Sequence, residues 1–172
     1  MPRQAERRKE VTDAPLDAEL LLRALQDHKV EYVLIGGLAV QTHGHVRSTN
    51  DADIIPAPDR FNLERLAAAL RQLQAKPLNP GHNESEVTAD LLPRATLWQF
   101  ATPNGEIDVA HKVPGGAVFA DLMRRALRVQ IDDLDVAVVS LDDLIRMKLA
   151  RGRPIDLADV AALTDEGNDA TS

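Results

Sequence analysis

The 172-residue chain contains no cysteine, which removes disulfides, thiolate zinc sites and thiol catalysis from consideration. It has no apolar run long enough to cross a bilayer, and its N-terminus lacks the apolar core of a secretory signal. The expected location is therefore cytoplasmic, with no membrane partner. Excess positive charge is missing too. With a formal net charge of -7, bulk electrostatics would not hold the protein on nucleic acid, and a polynucleotide would need a local basic groove. A second domain is not expected, because this length fits one domain with a proper core.

The chemistry is concentrated between residues 30 and 55. Val30 to Ile35 is short, apolar, β-branched and closed by a turn signal, so it reads as a buried strand. Gly36-Gly37 then leads into a short helix over Leu38 to Thr42. A strand that turns on glycines into a helix aims several backbone N–H groups at one spot, where the dipole favours an anion such as phosphate. After Arg47-Ser48-Thr49-Asn50, the run Asp51-Ala52-Asp53-Ile54-Ile55 alternates polar and apolar, which puts Asp51 and Asp53 on one face of a strand. Residues two apart are separated by roughly 6.5 Å along the backbone, so their carboxylates can converge. Like charges this close repel unless a cation lies between them. In two-metal phosphoryl-transfer sites, shared carboxylates hold ions about 3.5–4 Å apart.

The run GGLAVQTHGHVRSTNDADI resembles the signature of the polymerase-β-like nucleotidyltransferases, and is most similar to the minimal nucleotidyltransferases and the abortive-infection toxin nucleotidyltransferases. The resemblance covers most of residues 30 to 160 and requires several parts in order: Gly36-Gly37, Arg47-x-Thr49, Asp51-x-Asp53 and a later strand aspartate. Many members carry serine as the second turn residue, where this chain has Gly37; backbone amides would then do more of the phosphate binding. The resemblance implies an α/β (α+β) fold with a mixed β-sheet and flanking helices in a single domain. It also implies Mg²⁺ or Mn²⁺ and an NTP substrate, with Thr49 beside the phosphates and Arg47 either contacting them or bracing the loop.

The third carboxylate is sought downstream. Thr96 to Thr102 and Glu106 to His111 read as strands around Pro103-Asn104-Gly105, and Asn-Gly is a strong hairpin signal. With Asn104-Gly105 as the two-residue loop, Phe100 faces Val109, Thr102 faces Ile107 and Ala101 faces Asp108. Trp98, Phe100, Ile107 and Val109 then enter the core, while Asp108 lies on the opposite face. The family carries a third carboxylate on such a strand, and Asp108 matches it. Its implied role is to bind the catalytic metal and help take the proton of the attacking hydroxyl. Glu106 is a weaker candidate on that face.

The remaining segments frame this site. Residues 1 to 14 read as a flexible arm whose Arg3, Arg7, Arg8 and Lys9 are candidate RNA contacts, residues 15 to 164 as the domain, and 165 to 172 as a disordered tail. A helix is expected from Leu16 to His28 and another from Arg60 to Gln74, capped by Asp59. Residues 77 to 94 are expected to form a long connection with one short helix near Glu86 to Leu92, which reads equally as a lid or acceptor-recognition loop and as a merely irregular connection. His43 and His45 have chelating spacing, but oxygen ligands suit Mg²⁺ better and a helix end at His43-Gly44 accounts for them. A helix is also expected over Val118 to Leu127, with sheet at 129–131 and 136–139.

At the C-terminal side, Ser140 begins a capping-box-like start for a helix Leu141 to Ala150, with Leu141, Leu144, Ile145 and Leu149 as its core stripe and Lys148 at the surface. Pro154 opens another helix reaching about Leu163. The pattern of Lys148, Arg151, Arg153, Asp156 and Asp159 is similar to the C-terminal motifs of the toxin-like families. It implies that Lys148, with Arg151 and Asp156, serves the nucleotide. Asp156 and Asp159 have a competing structural reading, as first-turn helix acids or partners of Arg151 or Arg153.

The expected activity is metal-dependent transfer of an NMP from an NTP to an acceptor hydroxyl, with release of pyrophosphate. The acceptor would be RNA or tRNA, a protein, or a small molecule such as an antibiotic, and the toxin form would have an antitoxin partner. A catalytically silent nucleotide-binding module is the alternative, favoured by Gly37. A haloacid-type phosphatase is disfavoured, because its Asp-x-Asp pair ends a strand whereas this one begins one.

Overall fold

The structure is a computed structural model and describes residues 14–169. The basic stretch from Arg3 to Lys9 lies outside those residues. Helix α1, Ala18–Asp27, starts where the Asp17 carboxylate accepts the Leu20 N–H, and ends at His28. Strand β1, Tyr32–Ile35, is buried along its length and passes without a loop into α2, Gly36–Thr42. Strand β2 is Asp51–Pro56, and α3, Arg60–Gln72, is capped by Asp59.

Strand β3 is the short pair Lys76–Pro77. The connection after it contains no helix near Glu86; its one regular piece is a 3-10 turn, Leu92–Arg94. Far from hanging free, this connection buries Val87, Leu91 and Leu92, and the Trp98 indole N–H donates to the Leu92 carbonyl at 2.8 Å. The chain continues through β4, Leu97–Thr102, β5, Gly105–Ala110, and α4, Phe119–Arg125. Strands β6, Leu127–Ile131, and β7, Leu134–Val138, precede α5, Leu141–Arg151, and α6, Pro154–Asp169. Helix α6 thus continues past the Leu163 end read from the sequence.

The seven described strands form one mixed sheet in the order β3-β4-β5-β2-β1-β7-β6. β1 runs antiparallel to β2 and parallel to β7, and β2 runs parallel to β5. Strand alternation sends Ala52, Ile54, Ile107 and Val109 into the core, all at 0% exposure. Ala52 packs there with Leu21 and Ala24 of α1 and with Leu73. The opposite face of β2 and β5 is left to the carboxylates. This is the expected mixed sheet with flanking helices.

The hairpin differs from the sequence reading by two residues. Thr102 pairs with Gly105, Phe100 with Ile107 and Gln99 with Asp108, so the loop is Pro103-Asn104. Proline's fixed φ suits the first central position of a turn, and Gly105 takes φ +105°. The Thr102 hydroxyl accepts the Asn104 N–H and donates to the Gly105 carbonyl, locking this register. A slip of two keeps every side chain on its expected face, so Asp108 stays where the sequence put it.

Helix α5 brings a second correction. Its buried residues are Asp143, Leu144, Met147 and Lys148, whereas Leu141 is 37% and Leu149 54% exposed. Lys148 is an inward residue of this helix, Leu144 alone of the expected stripe is fully buried, Ile145 is half-buried, and Leu141 and Leu149 face out. Its start follows the sequence: Ser140 Oγ accepts the Asp143 N–H and donates to the Asp143 carboxylate, which Arg125 grips with two N–H groups.

Candidate active site

Three aspartates meet on the carboxylate face. In the β2–β5 ladder Asp53 lies opposite Asp108 and Asp51 opposite Glu106, and oxygens of Asp51, Asp53 and Asp108 all fall within 4.8 Å of one another. No ion pair reaches any of the three among the described residues. Burial, then the charge of Asp51, push Asp53 up to about 7, against the opposing pull of Arg151 and Lys148. Burial, then the charges of Asp53, Asp51 and Glu106, push Asp108 up to about 8. Glu106 is raised by burial and by Asp51. Such groups keep a proton into the neutral range unless a cation replaces it.

That arrangement fits a divalent metal. The donors are all hard oxygens, and Asp108 Oδ1 is buried with no hydrogen-bond partner. A buried acceptor left bare is costly, and a metal between the carboxylates would satisfy it.

The glycine turn abuts the trio. Gly36 has φ +69°, and a Cβ there would fall 2.1 Å from Asp53 Oδ2, so only glycine permits both the turn and this carboxylate. At Gly37 a Cβ would meet Thr49 Oγ1 at 2.7 Å and Arg47 Nη2 at 3.2 Å. The space a serine would need is therefore filled by the Arg47–Thr49 segment. The Thr49 hydroxyl donates to the Asp51 carboxylate at 3.2 Å and to its carbonyl at 3.3 Å, which braces the first aspartate.

A cationic cluster adjoins the turn. Arg47 grips Asp159 through Nε–H to Oδ1 at 2.7 Å and Nη2–H to Oδ2 at 2.9 Å. Lys148 Nζ lies 2.9 Å from Asp159 Oδ2 and 3.1 Å from Asp156 Oδ1. Arg153 donates to Asp156 from its side chain and its backbone N–H. That last bond is the returning half of a capping box, since Pro154 opens the helix and Asp156 is its third residue. Burial opposes ionisation of Asp156, but Arg153 and Lys148 outweigh it and hold the carboxyl at about 2. Asp159 is likewise lowered, by Arg47 and Lys148 against the effect of burial.

The sequence-derived residues therefore separate into groups. Asp51, Asp53 and Asp108 converge, Gly36 and Gly37 lie against them, and Arg47 and Thr49 flank Gly37. Arg151 makes no ion pair among the described residues, although its charge is felt at Asp53. Asp156 is fully buried with its oxygens taken by Lys148 and Arg153. His43 is spent on the Val139 carbonyl through Nε2 at 2.8 Å. Two features escaped the sequence: Thr49 as the brace of Asp51, and Asp159 as the shared partner of Arg47 and Lys148. Arg47 and Asp159 are separated by 112 residues, and no local pattern links them.

A mixed sheet with a carboxylate trio against a strand–glycine–helix turn defines the nucleotidyltransferase class. The model of the family described as "Nucleotidyltransferase of unknown function (DUF6036)" matches residues 14–164, and the chain belongs to that family. No curated protein matches significantly. Among solved structures, the fold is similar to the lincosamide antibiotic adenylyltransferase LnuA in its lincomycin-bound form, at TM-score 0.61 and 16% identity over 87% of this chain and 98% of that one. A putative nucleotidyltransferase from Thermotoga maritima, TM1012, aligns at TM-score 0.54 and 15% identity, over 90% and 98% of the two chains. The antibiotic-resistance factor ANT(2'')-Ia aligns at 0.53 and 13%, over 89% and 90%.

Proposed function

We propose that the protein transfers an NMP from an NTP to an acceptor hydroxyl, releasing pyrophosphate, with Mg²⁺ or Mn²⁺ bound by Asp51, Asp53 and Asp108. The observation that carries this reading is the uncompensated trio placed directly against Gly36-Gly37. When bound, the metal supplies charge neutralisation of the phosphates and a lowered pKa for a coordinated hydroxyl. Asp51 and Asp53 hold it from one strand and Asp108 from the next. Gly36 leaves room for Asp53. The backbone at Gly36-Gly37, with Arg47, Thr49 and Lys148, holds the triphosphate; Arg151 adds positive charge, and Asp156 fixes Lys148. The acceptor oxygen bonds to the α-phosphorus as the bond to the pyrophosphate oxygen breaks, and the hydroxyl proton leaves toward Asp108.

The silent-module alternative rested on Gly37. With Thr49 and Arg47 filling the place of a larger residue, Gly37 is no longer a sign of lost function. The acceptor choice follows two leads: the sequence resemblance points to RNA or protein, and two fold neighbours are named as antibiotic-resistance or antibiotic-adenylylating proteins. The test is incubation with each α-labelled NTP and Mg²⁺ in the presence of total RNA, lysate protein, an aminoglycoside or a lincosamide, with pyrophosphate release measured alongside. Label transfer that Asp53→Asn abolishes supports the reading, and no transfer or pyrophosphate release with any acceptor counts against it. Growth arrest on expression, relieved by the same substitution, would mark the toxin form, for which an antitoxin partner is implied.

A further inference from the structure

We infer that Asp159, which is too deeply buried to meet a nucleotide, is the positioning residue that sets both cations of the triphosphate site at once; this rests on the nucleotidyl-transfer reading above. Asp159 is 1% exposed. Its two oxygens take Arg47 in a fork, Nε to Oδ1 at 2.7 Å and Nη2 to Oδ2 at 2.9 Å, and Oδ2 also holds Lys148 Nζ at 2.9 Å. A carboxylate gripping guanidinium with two parallel bonds fixes its plane as well as its place. The cations come from separate parts of the chain: Arg47 from the segment before β2, Lys148 from α5.

The destination of Arg47 distinguishes this from an ordinary internal ion pair. The Arg47 Nη2 atom sits 3.2 Å from where a Cβ of Gly37 would lie, so the guanidinium is wedged against the turn. Its Nη1 donates to the Ser48 carbonyl at 3.0 Å, and a guanidinium has five N–H groups, so two stay unspent after the fork. An arginine presented this way can bond phosphate without first breaking its bonds to Asp159. Without Asp159, Arg47 would keep its charge and lose its direction.

The probe is Mg²⁺-tripolyphosphate, which carries the phosphate chain without a base, titrated calorimetrically onto the full chain and onto Asp159→Asn and Asp159→Glu. The wild type should bind it, Asp159→Asn should bind at least tenfold more weakly, and Mn²⁺ affinity at Asp51, Asp53 and Asp108 should change less than twofold. Asp159→Glu keeps the charge but moves it by one methylene. A positioning role therefore predicts weakened tripolyphosphate binding even where the melting temperature is retained. A folded variant that binds tripolyphosphate like the wild type, or losses that only track melting temperature, would overturn the inference. Should neither variant fold, the Arg47 Nε–H resonance of the wild type must shift on adding Mg²⁺-tripolyphosphate, and an unmoved signal overturns it. A wild type that binds neither tripolyphosphate nor any Mg²⁺-NTP overturns the nucleotidyl-transfer reading itself.

Discussion

Asp53 and Asp108 are pushed up to about 7 and about 8, whereas Asp156 and Asp159, buried at least as deeply, are lowered from the ordinary aspartate value. Burial opposes ionisation in all four. The difference lies in company: Asp156 and Asp159 share Arg47, Lys148 and Arg153 in direct ion pairs, while among the described residues no cation pairs with the trio and Arg151 and Lys148 reach Asp53 only through their more distant charge. One cluster carries its own counter-ions, so its carboxylates are fully paired within the fold. The other has its charges assembled and uncompensated, an arrangement that costs stability unless a cation joins it. Two clusters of the same residue type, both close to one glycine turn, thus do opposite work.

The sharpest way to break this comparison is to remove one member of the uncompensated cluster. On the proposed function, Asp53→Asn should cut nucleotidyl transfer by about a thousandfold or more, because a charge proposed to hold the metal, worth several kcal/mol, is lost at nearly constant side-chain size. The same substitution removes a repulsion, so the metal-free protein should melt no lower than the wild type. A variant with near-normal turnover and unchanged circular dichroism would sink the assignment of the trio as the metal site.

The matching cut in the compensated cluster is Lys148→Ala, where the expected loss is in folding. Removing one partner of a buried ion pair typically costs about 3–5 kcal/mol. Asp156 and Asp159 each keep an arginine, so the expected destabilisation is near the lower end, about 3 kcal/mol. For a chain of this size that lowers the melting temperature by roughly 6–12 °C. Urea unfolding measures it, and a change below 1 kcal/mol would show that Lys148 contributes charge to the site and little to the fold.

The two clusters should also oppose each other in pH. Asp156 falls from 3.8 unfolded to about 2 folded, so its contribution is present above pH 4 and is lost as pH drops toward 2, with a magnitude of about 2 kcal/mol. Asp53 and Asp108 rise from 3.8. The native protein then holds protons that the unfolded chain has released, and metal-free stability declines as pH climbs from 4 through 8. Thermal scans without metal should peak near pH 4 to 5 on account of these groups. Mg²⁺ should raise the melting temperature more at pH 8 than at pH 6, since at pH 6 it must displace a proton. Equal gains at both values would contradict the raised pair.

The legibility of the two regions in sequence differs for the same physical reason. The trio was readable because alternation along Asp51–Ile55 and a hairpin signal before Asp108 are local and period-two. Even the misplaced turn, Pro103-Asn104 for Asn104-Gly105, left Asp108 on the correct face. The compensated cluster defeats hydrophobic periodicity, because α5 buries Asp143 and Lys148 along with Leu144 and Met147. A stripe drawn through Leu141, Leu144, Ile145 and Leu149 follows the apolar residues and meets the fully buried face only at Leu144. The Arg153–Asp156 pair, three residues apart, was open to sequence reading; the Arg47–Asp159 fork between distant segments was not.

The smallest expected effect lies at the junction of the two clusters, where Gly37 touches Thr49 on one side and Arg47 on the other. A Cβ at position 37 would stand 2.9 Å from Thr49 Cβ as well as 2.7 Å from its hydroxyl, and the Cβ is fixed to backbone and cannot swing away. Gly37→Ser should therefore shift the Thr49 segment and loosen the bond that orients Asp51, rather than simply add a phosphate ligand. The expected loss in kcat/KM is about tenfold, or roughly 1.4 kcal/mol. In Gly37→Ser combined with Thr49→Gly, the space is cleared and the serine hydroxyl enters where the threonine hydroxyl was, so turnover should return toward wild type. Arg47 Nη2, at 3.2 Å from that Cβ, is the far end of a long side chain and can yield by the few tenths of an ångström required. If the double variant is no better than Gly37→Ser alone, crowding at Thr49 is not what makes glycine necessary, and the constraint must come from backbone approach of the phosphates at the turn.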